Sequence, residues 1–139
     1  MSQSVREIMT PDPVTLPADT PVREAAMAMR DQGIGDVLVI DGGQLHGIVT
    51  DRDLVVRGLA ERDDLSGCTL REVCTRQPIT VTPDDDAESV IARMRQNAVR
   101  RIPVVDGGKP VGVLSLGDAA IENDPDSALA DISAAPATT

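Results

Sequence analysis

Two stretches of this chain put a hydroxyl three residues ahead of a carboxylate, directly after an apolar run: "GIVTDRD" at 47–53, with Thr50 and Asp53, and "GVLSLGD" at 112–118, with Ser115 and Asp118. Two chemistries need that spacing. Thr or Ser followed three residues later by an acid is the signature of a capped helix start. A carboxylate in a first helical turn can also accept hydrogen bonds from both hydroxyls of a ribose, each charge-assisted bond being worth about 1.5–3 kcal/mol. The hydroxyl at the strand end can touch the same sugar or a phosphate, and free N–H groups at a helix start favour anions. The two roles are compatible, so a helix start and a ligand site are both expected at each place.

The elements that position these residues come from a duplication. Shifted by 65 positions, residues 5–53 overlay 70–118 without a gap, with identities that include Arg6/Arg71, Glu7/Glu72, Asp19/Asp84, Met29/Met94, Gly47/Gly112 and Asp53/Asp118. Each copy opens with a short helix before Pro13 or Pro78. A short strand follows, Val14–Leu16 or Ile79–Val81. Then Val22, Ala25, Ala26 and Met29, matched by Ala87, Val90, Ile91 and Met94, fall at helical spacing on one apolar face. Strands at Val37–Ile40 and Ile102–Val105 lead through Asp-Gly-Gly turns into Leu45–Val49 and Val111–Leu114, a hairpin in each copy. The Thr50 or Ser115 helix closes the unit. The order is β-α-β-β-α, an α/β (α+β) fold with two small sheets packed about a pseudo-two-fold axis, helices outside, and a cleft at each strand end. The middle strands read as continuous apolar runs, as strands covered on both faces do. Residues 5–60 and 70–123 are the expected repeats, 61–69 a linker, and the Ala/Pro/Asp-rich 124–139 a disordered tail.

Composition narrows the function. There is no Phe, Tyr or Trp, so the core is aliphatic and a flat ligand would be held by aliphatic side chains. A net charge of −10 opposes nucleic acid and anionic membrane as partners. No apolar run approaches the roughly 20 residues of a membrane span, and the start has no signal-peptide stretch, so a cytoplasmic protein is expected. Cys68 and Cys74 do not have zinc-ligand spacing and the one histidine is His46, so no metal site is expected. No Ser/His/Asp set and no P-loop lysine pattern occur, and a non-enzymatic protein follows.

With "PVT" or "PIT" early, "VVD" in the middle of the second copy and Gly-x-x-Thr/Ser-x-x-Asp late, residues 5–120 resemble a cystathionine-β-synthase (CBS) domain pair, the Bateman module, of the stand-alone type. The resemblance implies a regulatory module that binds AMP, ADP, ATP or S-adenosylmethionine, holds no tight cofactor, dimerises, and acts in trans on a protein partner. It implies that Asp53 and Asp118 hold the ribose, with Thr50 and Ser115 beside them. It also implies that adenine lies near Thr15 or Thr80, covered by Val37 or by Ile102 and Pro103.

Arg100 and Arg101 match basic positions that meet phosphate in a nucleotide-sensing kinase subunit of the family, where the first copy has Gly35 and Asp36. An ordinary solvated pair at a strand entrance is the competing reading. Residues 5–54 carry four Arg against nine acids, net −5, and residues 70–119 carry seven basic against seven acidic residues, net zero. The second copy is therefore the better phosphate site, while Arg52 either helps the first or points to solvent. The alternative for the whole chain is a ligand-free module that dimerises and docks on another protein.

Overall fold

A computed structural model describes residues 3–116. In chain order the elements are α1 (Val5–Ile8), β1 (Thr10–Pro11), β2 (Thr15–Pro17), α2 (Val22–Gln32), β3 (Asp36–Asp41), β4 (Gln44–Thr50) and α3 (Asp51–Asp53), which runs on as a π-helix over Leu54–Leu59. Then come α4 (Leu70–Val73), β5 (Thr75–Arg76), α5 (Ala87–Gln96), β6 (Arg101–Asp106) and β7 (Lys109–Ser115). They form two compact units.

The first-repeat unit, Pro13–Pro78 with Gly108–Pro110, carries a four-stranded sheet in the order β2-β3-β4-β5. β2 runs parallel to β3, and the other pairs are antiparallel. Gly42 and Gly43 make the β3–β4 turn with φ of +62° and +80°, the left-handed pair that a tight two-residue hairpin requires. Val22, Ala25 and Met29 of α2 pack on Val37, Val39 and Val49 of the sheet. Ala26, expected on that buried face, is exposed. Leu38 and Ile48, on the opposite face of the sheet, are also buried, which is why the strand reads as a continuous apolar run.

The second-repeat unit has a three-stranded sheet in the order β1-β7-β6. On it, Ala87, Val90, Ile91 and Met94 of α5 pack with Ile102, Val104 and Leu114.

Each unit is completed by the leading segment of the other repeat. α4 and β5, which open the second repeat, belong to the first-repeat unit, and α1 and β1 belong to the second-repeat unit. The two transfers match bond for bond. Leu70 N–H donates to the Thr20 carbonyl and Arg71 N–H to that of Ala18, as Val5 N–H donates to Asp85 and Arg6 N–H to Pro83. Capping boxes Ser4–Glu7 and Thr69–Glu72 fix the two short helices. Val5, Leu70 and Val73 have no exposed surface, and burial of such side chains is worth about 1.5–3 kcal/mol each. β5 pairs with β4 at Gly47↔Arg76, and β1 pairs with β7 at Pro11↔Gly112. A Cβ on Gly47 would lie 2.5 Å from the Thr75 carbonyl oxygen, and one on Gly112 would lie 2.5 Å from Met9 Sδ. The Gly47/Gly112 identity is thus a demand of the transferred strands.

The expected strand at Ile79–Val81 is reduced to a single bridge, Val81 with Val104. In the first repeat Leu38 N–H donates to the Val14 carbonyl at 3.0 Å. Pro103 stands at the matching position and has no N–H to give Ile79, so the ladder loses that bond.

Candidate functional site

Three strand ends meet at one edge of the first-repeat sheet. Thr15 of β2 pairs with Leu38, and Asp36 at the start of β3 pairs with Thr50 at the end of β4. Asp51 N–H then donates to the Gly35 carbonyl at 3.0 Å, which turns the chain out of the strand. Thr50 N–H donates to Asp53 Oδ2 at 2.9 Å, and Asp53 N–H donates to Thr50 Oγ1 at 3.2 Å. The capping box is therefore formed, and it points both side chains at the end of the strand. Only 17 % of the Asp53 side chain is exposed.

The other oxygen of that carboxylate, Oδ1, faces Arg57 Nε at 3.9 Å. Arg57 Nη1 also donates to the carbonyls of Val73 and Cys74, at 3.5 and 3.3 Å. Arg57 thus ties Asp53 to the end of α4, the segment contributed by the second repeat. It escaped the sequence reading, although its signal was present: it lies four residues after Asp53, the helical spacing for an ion pair. The second repeat has Glu122 at the matching position.

Among the other first-repeat residues, Thr15 is half-buried, whereas Val37 has no exposed surface and lies in the core. In the second-repeat unit the strand end is built alike. Leu116 N–H donates to the Arg100 carbonyl at 2.8 Å, the counterpart of Asp51 and Gly35, so Arg100 and Arg101 flank the end of the strand that carries Ser115. Arg100 is exposed, and Arg101 and Ser115 are half-buried. Thr80 is exposed, and Pro103 and Ile102 are buried, Ile102 within the core. Asp118 and the tail at 124–139 lie outside the described residues. Val37 and Ile102, expected to cover adenine, are core residues here, whereas Thr50, Arg101 and Ser115 at the strand ends are half-buried and Arg100 is exposed.

The cysteines are both free and buried. Burial pushes both thiols above their ordinary value, against the opposing pull of Arg62 on Cys68 and of Arg76 and Arg57 on Cys74. Among the described residues no group of three or more His, Cys, Asp or Glu side chains could hold a metal ion, and no helix is long and apolar enough to cross a membrane.

The CBS domain model matches residues 5–59 and again 70–122. The chain belongs to the CBS-domain family. This CBS pair is 36 % identical over 135 residues to the uncharacterized protein YlbB of Bacillus subtilis, covering 93 % of the chain and 90 % of YlbB. It is 30 % identical over 118 residues to hypoxic response protein 1 of Mycobacterium tuberculosis, covering 84 % and 82 %. Among solved structures it is similar to the CBS domain pair of protein MJ0100 in complex with 5′-methylthioadenosine and S-adenosyl-L-methionine, with a TM-score of 0.80 at 26 % identity over 91 % of this chain and 100 % of that one. CBSX2 in complex with AMP gives a TM-score of 0.74 at 28 % identity over 86 % and 96 %. The CBS pair and the mixed α/β architecture with two small sheets, both expected from sequence, are thereby established.

Proposed function

We propose that this CBS pair is a regulatory module that binds an adenosine ligand, AMP, ADP, ATP or S-adenosylmethionine, and passes its occupancy to a protein partner in trans. The observation that carries the reading is the reciprocal Thr50–Asp53 pair, which holds a nearly buried carboxylate at a strand end, in a fold whose relatives MJ0100 and CBSX2 are complexed with adenosine compounds. Asp53 and Asp118 hold the ribose, Thr50 and Ser115 stand beside them, and Thr15 and Thr80 present backbone groups to the base. The module works by binding and not by catalysis, in keeping with its single histidine, whose Nε2 is buried and has no hydrogen-bond partner among the described residues.

An AMP-sized ligand of roughly 23 heavy atoms at ~0.3 kcal/mol per atom gives about 7 kcal/mol, a Kd on the order of ten micromolar. Self-association belongs to the same reading. Val55, Val56 and Leu59 of the π-helix are 55, 42 and 60 % exposed, an apolar surface suited to a second copy.

The test is calorimetric titration of AMP, ADP, ATP and S-adenosylmethionine into wild type, Asp53→Ala and Asp118→Ala. Micromolar binding weakened by either substitution supports the reading. Absence of binding for all four compounds moves the function to the alternative, a ligand-free dimerisation and docking module.

A further inference from the structure

We infer that Arg57 is a positioning residue that links occupancy of the first-repeat site to the seating of α4 and β5, the segment that opens the second repeat. The inference rests on the adenosine-binding reading above and adds how occupancy is passed on.

The two oxygens of Asp53 are used differently. Oδ2 accepts the Thr50 N–H at 2.9 Å within the capping box. Oδ1 faces Arg57 Nε at 3.9 Å, an ion pair but too long for a hydrogen bond. Oδ1 therefore keeps its acceptor capacity for a ligand hydroxyl while the guanidinium balances the charge. A carboxylate so nearly buried is costly without an opposite charge beside it.

The far end of the same guanidinium closes α4. That helix has four residues, Leu70–Val73, and cannot satisfy its own last carbonyls. Arg57 Nη1 donates to those of Val73 and Cys74, at 3.5 and 3.3 Å. The Cys74 thiol lies in the field of both charges: burial raises its pKa most, while Arg57 lowers it and Asp53 raises it. Arg57 is carried on the π-helix, where Ala60 N–H donates to the Val55 carbonyl at 2.9 Å, five residues back. Single turns of this register recur at functional places in proteins.

One side chain thus holds the ligand carboxylate with Nε and the transferred segment with Nη1. A hydroxyl bound on Oδ1 restrains Asp53, and a restrained Asp53 holds Arg57 over the α4 carbonyls. Such coupling is reciprocal, so a ligand that tightens α4 is itself bound more tightly when α4 is seated. The leading segment of the second repeat therefore registers what happens at the strand end of the first.

The experiment is iodoacetamide alkylation of Cys68 and Cys74 in the full chain, resolved by mass spectrometry, free and with AMP or S-adenosylmethionine at saturation. Wild type, Arg57→Ala, Arg57→Gln and Asp53→Ala are compared, and calorimetry shows which compound loses affinity in Asp53→Ala. In wild type that compound should slow Cys74 about fivefold or more beyond its slowing of Cys68, the low end of common coupling between sites. In both Arg57 variants the excess should vanish, because ligand binding then protects the two thiols only through overall stability. Equal protection of the two thiols in wild type, which needs no variant, overturns the inference and leaves the adenosine-binding reading intact. So does an excess that persists in both Arg57 variants. No binding of either compound, or binding indifferent to Asp53→Ala, overturns the first-repeat site and the inference together.

Discussion

Arg71 donates to Asp19 at 3.4 Å, and Arg6 donates to Asp84 at 3.2 Å. These are two copies of one ion pair, 65 residues apart, and in each the arginine comes from the repeat that does not own the aspartate. The identities Arg6/Arg71 and Asp19/Asp84 are thereby accounted for by the transfer of the leading segments. Arg6, Asp84 and Asp19 are largely solvated, and Arg71, 36 % exposed, is shared with Asp41 at 3.3 Å, so solvent screens most of the charge. Arg71→Ala and Arg6→Ala are expected to move the melting temperature little, and the two Asp→Ala variants no more. Calorimetry on the four variants would show whether the pairs carry register more than stability.

The steric contacts of the transferred strands should matter far more. Gly47→Ala drives a methyl against the Thr75 carbonyl and Cys74 Sγ, and Gly112→Ala drives one against Met9 and the Thr10 carbonyl. Overpacking of this kind costs about 1–3 kcal/mol. Urea denaturation should place both variants well below wild type, and retention of full stability would mean that β1 and β5 are not seated where they are described.

One substitution should stabilise. Ala98 follows α5 with φ of +53°, at the place where α2 is followed by Gly33 with φ of +64°. A left-handed conformation costs a non-glycine residue about 1–2 kcal/mol, while glycine's extra freedom in the unfolded chain offsets part of that. Ala98→Gly is expected to raise stability by about 0.5–1 kcal/mol in the same denaturation experiment.

The cap of α4 gives a pH signature. The Thr69 backbone N–H, with help from Arg62, holds Glu72 below its ordinary value of 4.5. A carboxylate depressed on folding stabilises the fold above the ordinary value, and that contribution is lost as pH falls through the lower folded value. The stability gap between wild type and Glu72→Gln should be present at neutral pH and shrink below pH 4.5. Thermal melts from pH 7 to pH 3 would check it, and a gap independent of pH would exclude the charged cap.

The buried thiols report opening. Cys74 closes α4, and burial raises its pKa, so it should react with iodoacetamide only when that segment detaches. Arg57→Ala removes two hydrogen bonds to the Val73 and Cys74 carbonyls and should speed Cys74 alkylation more than that of Cys68. Mass spectrometry of partly alkylated protein resolves the two sites.

The gap-free repeat, the apolar face of each long helix, the hairpins and the capping box at Thr50 could all be read from the residues, because each depends on local spacing. The transfer of α1 and α4 could not. The two leading segments carry the same residue types at their contact positions, so Val5 and Leu70 suit either α2 or α5, and nothing in the pattern says which repeat they complete. The loss of the strand at Ile79 was legible in principle, since Pro103 has no N–H, but it required knowing which residue Pro103 would face. The strand-end site divides in the same way. Thr50 and Asp53 announced themselves by spacing, whereas the seclusion of Val37 and Ile102 in the core depends on packing. Arg57 mattered only once α4 was known to lie beneath it.

The reciprocal transfer of α1–β1 and α4–β5 also bears on how such a chain could arise. In each unit the place for a leading helix and strand is filled by the other repeat, so a single repeat could complete the same unit by exchanging that segment with a second copy. Joining the copies end to end replaces a bimolecular encounter with an effective concentration of order millimolar. Neither half, severed at the linker, should be an independent folding module.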